Sequence, residues 1–559
     1  MEPHDIVYDI CRHFIRDLVD VDTALFAKID GFRRSRNLAE LASCSQHFDW
    51  AKHSINDWRA IRQIEAFFKK NTIFTTKDIC AAAAREKFHA GERGCDISNV
   101  RLDFYYSERR SLNADLRSKI SRMMRYISNV LGDHQKFVDE LPSFIRVTSG
   151  ATAQASRRNS LPQLKLRMKL HATPGAFSYL AALYRYHGFN PPRLIETRTN
   201  RVESVPKNWK TDRTIACEPE GNLPLQLAFD TYVKRRLRRF GIDLSDQSAN
   251  QKGAIQSSID GRRATIDFEN ASGSICFNAV AWLLPYDWFA FLCRIRSPAY
   301  RSSDKAGFGS GVYAMFSSMG NGSTFTLETL IFAAACYAVG SKDFLVYGDD
   351  VLIESELVDE YQQLTKFFGF TINREKSFAD GPFRESCGVD AWRGVDVTPV
   401  YIRGLDKRKA LRCHLINTLA RIAMPGGELA DYLAKLVNEW RLPFVPYQES
   451  TVSGVWILPD AARAKKLSRT KNYVTYFKCY VAKTHPRKFV DVRGYYLWFL
   501  NKNRQVLFKG PWHLAQNIRN ETTSSVPIFE HAYVRKWVSW HMPTGGIPIH
   551  LYWWTEHCA

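Results

Sequence analysis

Phe344 to Ile353 reads FLVYGDDVLI, and this stretch decides the fold. Two apolar runs flank a short polar centre, which is the pattern of two strands joined by a tight turn. Gly348 and Asp349 fall at the turn. Asp349 and Asp350 therefore set two carboxylates side by side at its tip. Adjacent carboxylates repel, and a fold keeps them together where a divalent cation neutralises them. Upstream, ATIDF (Ala264 to Phe268) is a second short β-like run and carries Asp267. If the two strands are neighbours, Asp267, Asp349 and Asp350 converge at one sheet edge as metal ligands. Such a cluster suits two Mg²⁺ ions about 4 Å apart, with Mn²⁺ as a substitute.

Working outward, Val358 to Phe368 has helical spacing and GFTIN, from Gly369, is a short strand. Strand, helix, hairpin, helix, strand predicts an α+β fold with an antiparallel sheet backed by helices. Between the carboxylate strands lies SSMGNGSTFTLE, Ser317 to Glu328. Gly320, Asn321 and Thr324 combine a close-approach backbone with hydrogen-bonding side chains at a helix start. That suits recognition of a base and a ribose, although a plain helix cap reads the same way. VPKNWKTDRTIACEP, from Val205, supplies Lys207, Lys210 and Arg213, cations suited to a triphosphate. Lys376, in FTINREKSF, is a candidate phosphate contact or general acid for pyrophosphate, or a solvated lysine.

The remaining sequence bounds the classes. In 559 residues, 78 Lys and Arg face 57 Asp and Glu, a formal charge of +21. Such an excess favours a polyanionic partner, nucleic acid or an anionic surface. With 45% apolar residues the chain has ample core and is not a disordered tail. No secretory signal opens it, and the most apolar segment, Leu330 to Val339, is half a membrane helix, so no membrane insertion is expected. Twelve scattered cysteines without a CxxC pair read as free thiols in a reducing compartment. Residues 1 to about 140 are mostly helical by apolar spacing. Arg157 and Arg158 sit in a polar loop that is either a solvated linker or a backbone-phosphate contact. Lys234, Arg235, Arg236, Arg238 and Arg239 crowd one helix end and cannot all face one way. The aromatic tail (Trp498, Trp537, Trp540, Trp553, Trp554) reads as core, with base stacking as the other reading.

Together these segments resemble the catalytic subunit of RNA-bacteriophage replicases, the RNA-directed RNA polymerases of small positive-strand RNA phages. The resembling stretches are VPKNWKTDRTIACEP, GIDLSDQSANQ, ATIDFENAS, LLPYDWFAFLCRIRSP, SSMGNGSTFTLETLIFA, VYGDD, GFTINREKSF, GPFRESCG and GVDVTPVYIR, in family order from about Val205 to Arg403. The family implies a right-hand polymerase. Residues 1–261 would form the N-terminal region and fingers, with the basic nucleotide-side segment at 205–240. Residues 262–400 would form the palm with a fingers insertion near 285–315, and 401–559 the thumb and C-terminal region.

By the family pattern Asp267, Asp349 and Asp350 bind the magnesium ions. Lys207, Lys210 and Arg213 line the side from which nucleotides approach. Gly320, Asn321 and Thr324 lie beside the nascent base pair, and Arg384, Glu385 and Ser386 near the growing 3′ end. The implied ligands are single-stranded RNA template, nascent RNA and ribonucleoside triphosphates. The implied partners are host translation elongation factors, with a ribosomal RNA-binding protein or an RNA chaperone, in the cytoplasm of an infected bacterium. One departure stands out. The family reads D-x-S-x-A-S-D where this chain has Asp267-Phe-Glu-Asn-Ala-Ser-Gly273. The second aspartate, associated with the ribose 2′-hydroxyl, is replaced by Gly273. Glu269 or Asn270 is left to compensate. The competing readings are a reverse transcriptase, which shares the YxDD turn, and a non-catalytic RNA-binding or assembly protein.

Overall fold

The structure is a computed structural model. It describes residues 2–485 and 528–558, apart from 50–51, 149, 156–168, 187, 189, 304–305, 406–407, 448–449, 459, 462–467, 472–473 and 541–546. Arg157, Arg158 and Trp498 therefore lie outside the described residues, as do the side chains of Trp537 and Trp540.

Two strands, Leu345–Tyr347 and Asp350–Glu354, form the expected hairpin, with Tyr347 opposite Asp350. The turn is two residues long. Gly348 takes φ +65°, the positive value required at the first position of a type II′ hairpin turn. A Cβ there would also fall 3.0 Å from Phe325 Cδ2, so the turn has room only for glycine. Arg263–Ile266 pairs antiparallel with Asp350–Glu354, with Ile266 opposite Val351. The outcome is a three-stranded antiparallel sheet with Asp350–Glu354 in the middle. The expected strand at GFTIN is only a bridge, Phe268 to Ile372, within a loop that runs beside Thr265–Glu269.

Helices back this sheet. Thr324–Ala338 is apolar almost all round and is buried nearly throughout, as a helix enclosed by other elements must be. Its Phe332 ring stacks on Phe268 at 4.2 Å. Each fully buried Leu, Ile or Phe on it contributes about 1.5–3 kcal/mol. Ser248–Asp260 and Val358–Phe367 pack nearby, the first against the strands and the second against Thr324–Ala338.

A second sheet has the order Asp212–Cys217, Thr199–Pro206, Ala299–Ser302, Ser310–Val312. The long helix Lys77–Ser107 packs on its Asp212–Cys217 edge. Phe88 from that helix meets Tyr300 and Phe308 edge-on.

The buried side chains group by space rather than by chain order. One core holds residues from Ala84 to Ile372. Another joins Ile6 through Phe68 to Phe383 through Val455 and to Leu551 and Trp554. The sequence reading groups 1–261 together, whereas the first 68 residues pack with the C-terminal half. A buried ion pair links them: Arg62 donates to Asp390 at 2.5 and 2.8 Å and to Glu65 at 3.2 Å. Trp554 is fully buried, in line with the core reading of the aromatic tail at that residue. Among the described residues no helix is long and apolar enough to cross a membrane.

Candidate active site

Asp267 follows directly on the strand Arg263–Ile266, and Asp350 opens the neighbouring strand. Continuing the register by one step sets Asp267 across from Asp350, with Asp349 in the adjoining turn. The three carboxylates thus share one sheet edge, and their charges act on one another. Burial pushes the Asp350 carboxyl up to about 6, although the Cys387 N–H donates to it at 3.2 Å. The Asp349 and Asp267 charges add to the rise. Asp267 is raised for the same reasons, against the pull of Lys376, whose Nζ lies 3.3 Å from its Oδ2. Asn373 also donates to that oxygen, at 3.0 Å.

These are hard oxygen donors in a site that is unfavourable to its own negative charge, which fits a divalent cation of the magnesium class. Among the described residues, no three His, Cys, Asp or Glu groups are drawn close enough to form a metal site unaided. Lys376 supplies the nearest counter-charge. Desolvation pulls its ammonium pKa down, but Asp267, Glu385 and Asp349 outweigh that and hold it above the ordinary lysine value. It is therefore a fixed cation at neutral pH.

Glu328 is a fourth carboxylate at this edge that the sequence reading passed over. It is 4% exposed on the helix Thr324–Ala338. Burial, then the charges of Asp349 and Asp350, raise it well above the usual carboxylate range. The signal was available: it is the one Asp, Glu, Lys or Arg in an otherwise uncharged helix.

Beside the carboxylates opens a cavity lined by Lys87, Lys207, Arg213, Asn270, Ser272, Gly273, Ser318 and Met319, among others. Lys207 and Arg213 come from the hairpin of Thr199–Pro206 and Asp212–Cys217. Its loop is tightened by the Asn208 side chain, which accepts from the N–H groups of Lys210 and Thr211. Lys87 comes from the long helix and was not anticipated, since nothing in sequence links it to residues over a hundred positions away. Desolvation, then the Lys87, Arg213 and Lys376 charges, lower the Lys207 pKa, opposed by Asp267. Such a cluster of cations is held apart only by its scaffold and favours a polyanion between them.

The other expected residues are placed as follows. Lys210 is not among the cavity's lining residues, and its ammonium sits over the Trp209 ring at 5.3 Å. Gly320, at φ +118°, runs against the strand Asp212–Cys217, where a Cβ would meet the Ala216 carbonyl. The Asn321 oxygen accepts from the Ser323 N–H and hydroxyl at 2.9 and 2.7 Å, and the Thr324 hydroxyl donates to the Ser318 carbonyl. These side chains shape the loop whose Ser318 and Met319 reach the cavity. Arg384 requires a correction. It is 1% exposed, and its guanidinium donates to the carbonyls of Arg263, Ala379, Asp380, Gly381 and Phe383. No face of it is left for RNA. It clamps the Phe383–Ser386 strand to the carboxylate sheet.

Comparison with known proteins agrees with the sequence resemblance. Residues 15–538 match the family described as RNA replicase, beta-chain. The chain is 37% identical over 403 residues to the RNA-directed RNA polymerase subunit beta of Escherichia virus Qbeta, covering 70% of this chain and 66% of that one. It is 35% identical over 445 residues to the corresponding subunit of Enterobacteria phage SP, covering 76% and 75%. The aligned stretch thus spans just under two thirds of the Qbeta subunit. Among solved structures, the BmCPV RNA-dependent RNA polymerase at elongation state gives a TM-score of 0.40 at 9% identity, over 58% of this chain and 33% of that one. With its carboxylate edge, its cationic cavity and a match over nearly its whole length, the chain belongs to the RNA replicase beta-chain family.

Proposed function

We propose that this chain is an RNA-directed RNA polymerase that copies a single-stranded RNA genome from ribonucleoside triphosphates, releasing pyrophosphate, in the cytoplasm of an infected bacterium. The observation that carries the reading is the cavity of Lys87, Lys207 and Arg213 opening beside the edge that holds Asp267, Asp349 and Asp350. In this reading the carboxylate sheet and its helices are the palm. The sheet of Thr199–Pro206 and Asp212–Cys217 belongs to the fingers. The helices Lys409–Leu419 and Glu428–Glu439, with the N-terminal helices packed on them, make the thumb side.

The primer 3′-hydroxyl gives up its proton to solvent and attacks the α-phosphate in line. One P–O bond forms, the bond to the β-phosphate oxygen breaks, and pyrophosphate leaves with its electrons. Lys207, Lys87 and Arg213 hold the triphosphate and orient its α-phosphate toward the carboxylate edge. Lys376 keeps its proton and balances Asp267. Asp267, Asp349 and Asp350 would hold two Mg²⁺ ions, whose charge stabilises the transferring phosphoryl group. Sequence is read by base pairing, while cations hold the RNA backbones.

The test is Mg²⁺-dependent incorporation on a defined RNA template by the full chain, with and without host extract. Asp349→Asn is expected to lose at least roughly 10³-fold of the rate while remaining folded. Incorporation at the native rate by that variant would overturn the assignment. Use of deoxyribonucleotides in preference to ribonucleotides would favour a reverse transcriptase, and RNA binding without incorporation an assembly protein.

A further inference from the structure

Asn270 sits three residues beyond Asp267 in a left-handed backbone conformation, φ +53° and ψ +41°. Asparagine is among the few residues that tolerate this conformation. The left-handed residue turns the chain into the short helical turn Ala271–Ser274, and that turn brings Gly273 back against the Asn270 side chain. A Cβ built on Gly273 would lie 2.8 Å from both Asn270 Cγ and Oδ1, and closer still to Nδ2. On the other side, a Cβ on Gly91 of the long helix would lie 3.0 Å from Nδ2. The carboxamide is thus slotted between two glycines, and no side chain can occupy position 273 while it is there.

The same carboxamide lines the cationic cavity together with Ser272, Lys207 and Arg213. Among the described residues no group hydrogen-bonds it; only the Asn270 main-chain carbonyl is engaged, by Ser274. Glu269 is different. Its side chain is exposed and is not part of the cavity wall, and its N–H pairs with the Thr371 carbonyl. A half-buried amide with an unused donor and acceptor, on the wall of the cationic cavity and three residues from Asp267, is placed to meet the sugar of a nucleotide held there. The sugar has two free hydroxyls. Ribonucleotides and deoxyribonucleotides share the 3′-hydroxyl, so an amide that tells them apart engages the 2′-hydroxyl.

We propose that the Asn270 carboxamide hydrogen-bonds the ribose 2′-hydroxyl of the incoming nucleotide and so sets the preference for ribonucleotides. This rests on the polymerase reading above. Asn270 and Gly273 act as a pair: the amide from position 270 fills the space that a side chain at 273 would take.

The experiment measures kcat/KM for a templated ribonucleotide, its 2′-deoxy analogue and its 3′-deoxy analogue, using the full chain with host extract. In Asn270→Ala the ribo-to-2′-deoxy ratio is expected to fall roughly tenfold, the loss of one neutral hydrogen bond. The ribo-to-3′-deoxy ratio is expected to hold within about twofold, a split that a merely structural role does not produce. Asn270→Gly accepts the left-handed backbone and gives the same readout if the alanine variant does not fold. Asn270→Ala combined with Gly273→Asp is expected to regain selectivity, because the vacated slot then admits the new side chain. An unchanged 2′-deoxy ratio in active Asn270 variants overturns this assignment alone, as does a fall seen only in Ser272→Ala. A wild-type chain that incorporates nothing overturns the polymerase reading itself.

Discussion

Lys234 to Arg239 carries five cations in six residues and Lys207 to Arg213 three in seven, but the two segments meet different surroundings. Lys207 and Arg213 project from a hairpin into an open cavity where the other nearby charges are mostly cations. On the helix Asn222–Arg238 three of the cations, Lys234, Arg236 and Arg238, find acceptors within the fold. Lys234 pairs with buried Asp230 at 3.0 Å, and Arg146 and the Thr326 hydroxyl meet the same carboxylate. Arg236 donates to the carbonyls of Asn129 and Val130, capping the C-terminal end of the helix Ala114–Leu131. Arg238 pairs with Asp243. Charge density alone therefore does not locate a polyanion site. A cation is available to a ligand when the fold gives it no acceptor.

The strongest challenge to this contrast is Lys207→Ala. Nucleotide kcat/KM is expected to fall roughly 10²-fold, mostly through KM, with the melting temperature unmoved. A normal KM would erase the distinction. Asp230→Ala should do the reverse. It strands Arg146, Lys234 and Thr326, lowering stability by about 2 kcal/mol in urea unfolding while nucleotide KM stays unchanged.

The smallest effect concerns pH. Hydrogen bonds from Arg238, then Ser245, hold the exposed Asp243 carboxyl at about 2. A depressed carboxylate adds stability above its unfolded value near 3.9, and that contribution fades as pH falls through the folded value. The stability difference between wild type and Arg238→Ala should be constant at neutral pH and vanish between about pH 4 and 2. A difference that persists at the acid end would show that Arg238 acts through something other than Asp243.

Much of the site was legible because its chemistry is local. The YGDD turn, its flanking strands and the helix after Ser323 follow from spacing, glycine and apolar runs within a dozen residues. What escaped was non-local. Lys87 joins the cavity only because Phe88, its neighbour, packs under Tyr300 and Phe308. The family pattern sets Arg384 near the growing RNA end, and sequence does not show the five carbonyls that take up its guanidinium. Glu328 could have been found, since a carboxylate in an apolar helix requires a reason.

The shared core of Ile6–Phe68 with Phe383–Val455 has a consequence for biosynthesis. A nascent chain emerges at about 5–20 residues per second, so residue 383 follows residue 68 by roughly 15–60 s. Through that interval Phe48 and Trp58 of the N-terminal segment lack Phe383 and Trp392, the rings they pack against in the finished fold. A segment that leaves the ribosome well before residue 383 is thus completed only after it, and translation speed and holdase supply bear directly on the yield of folded protein.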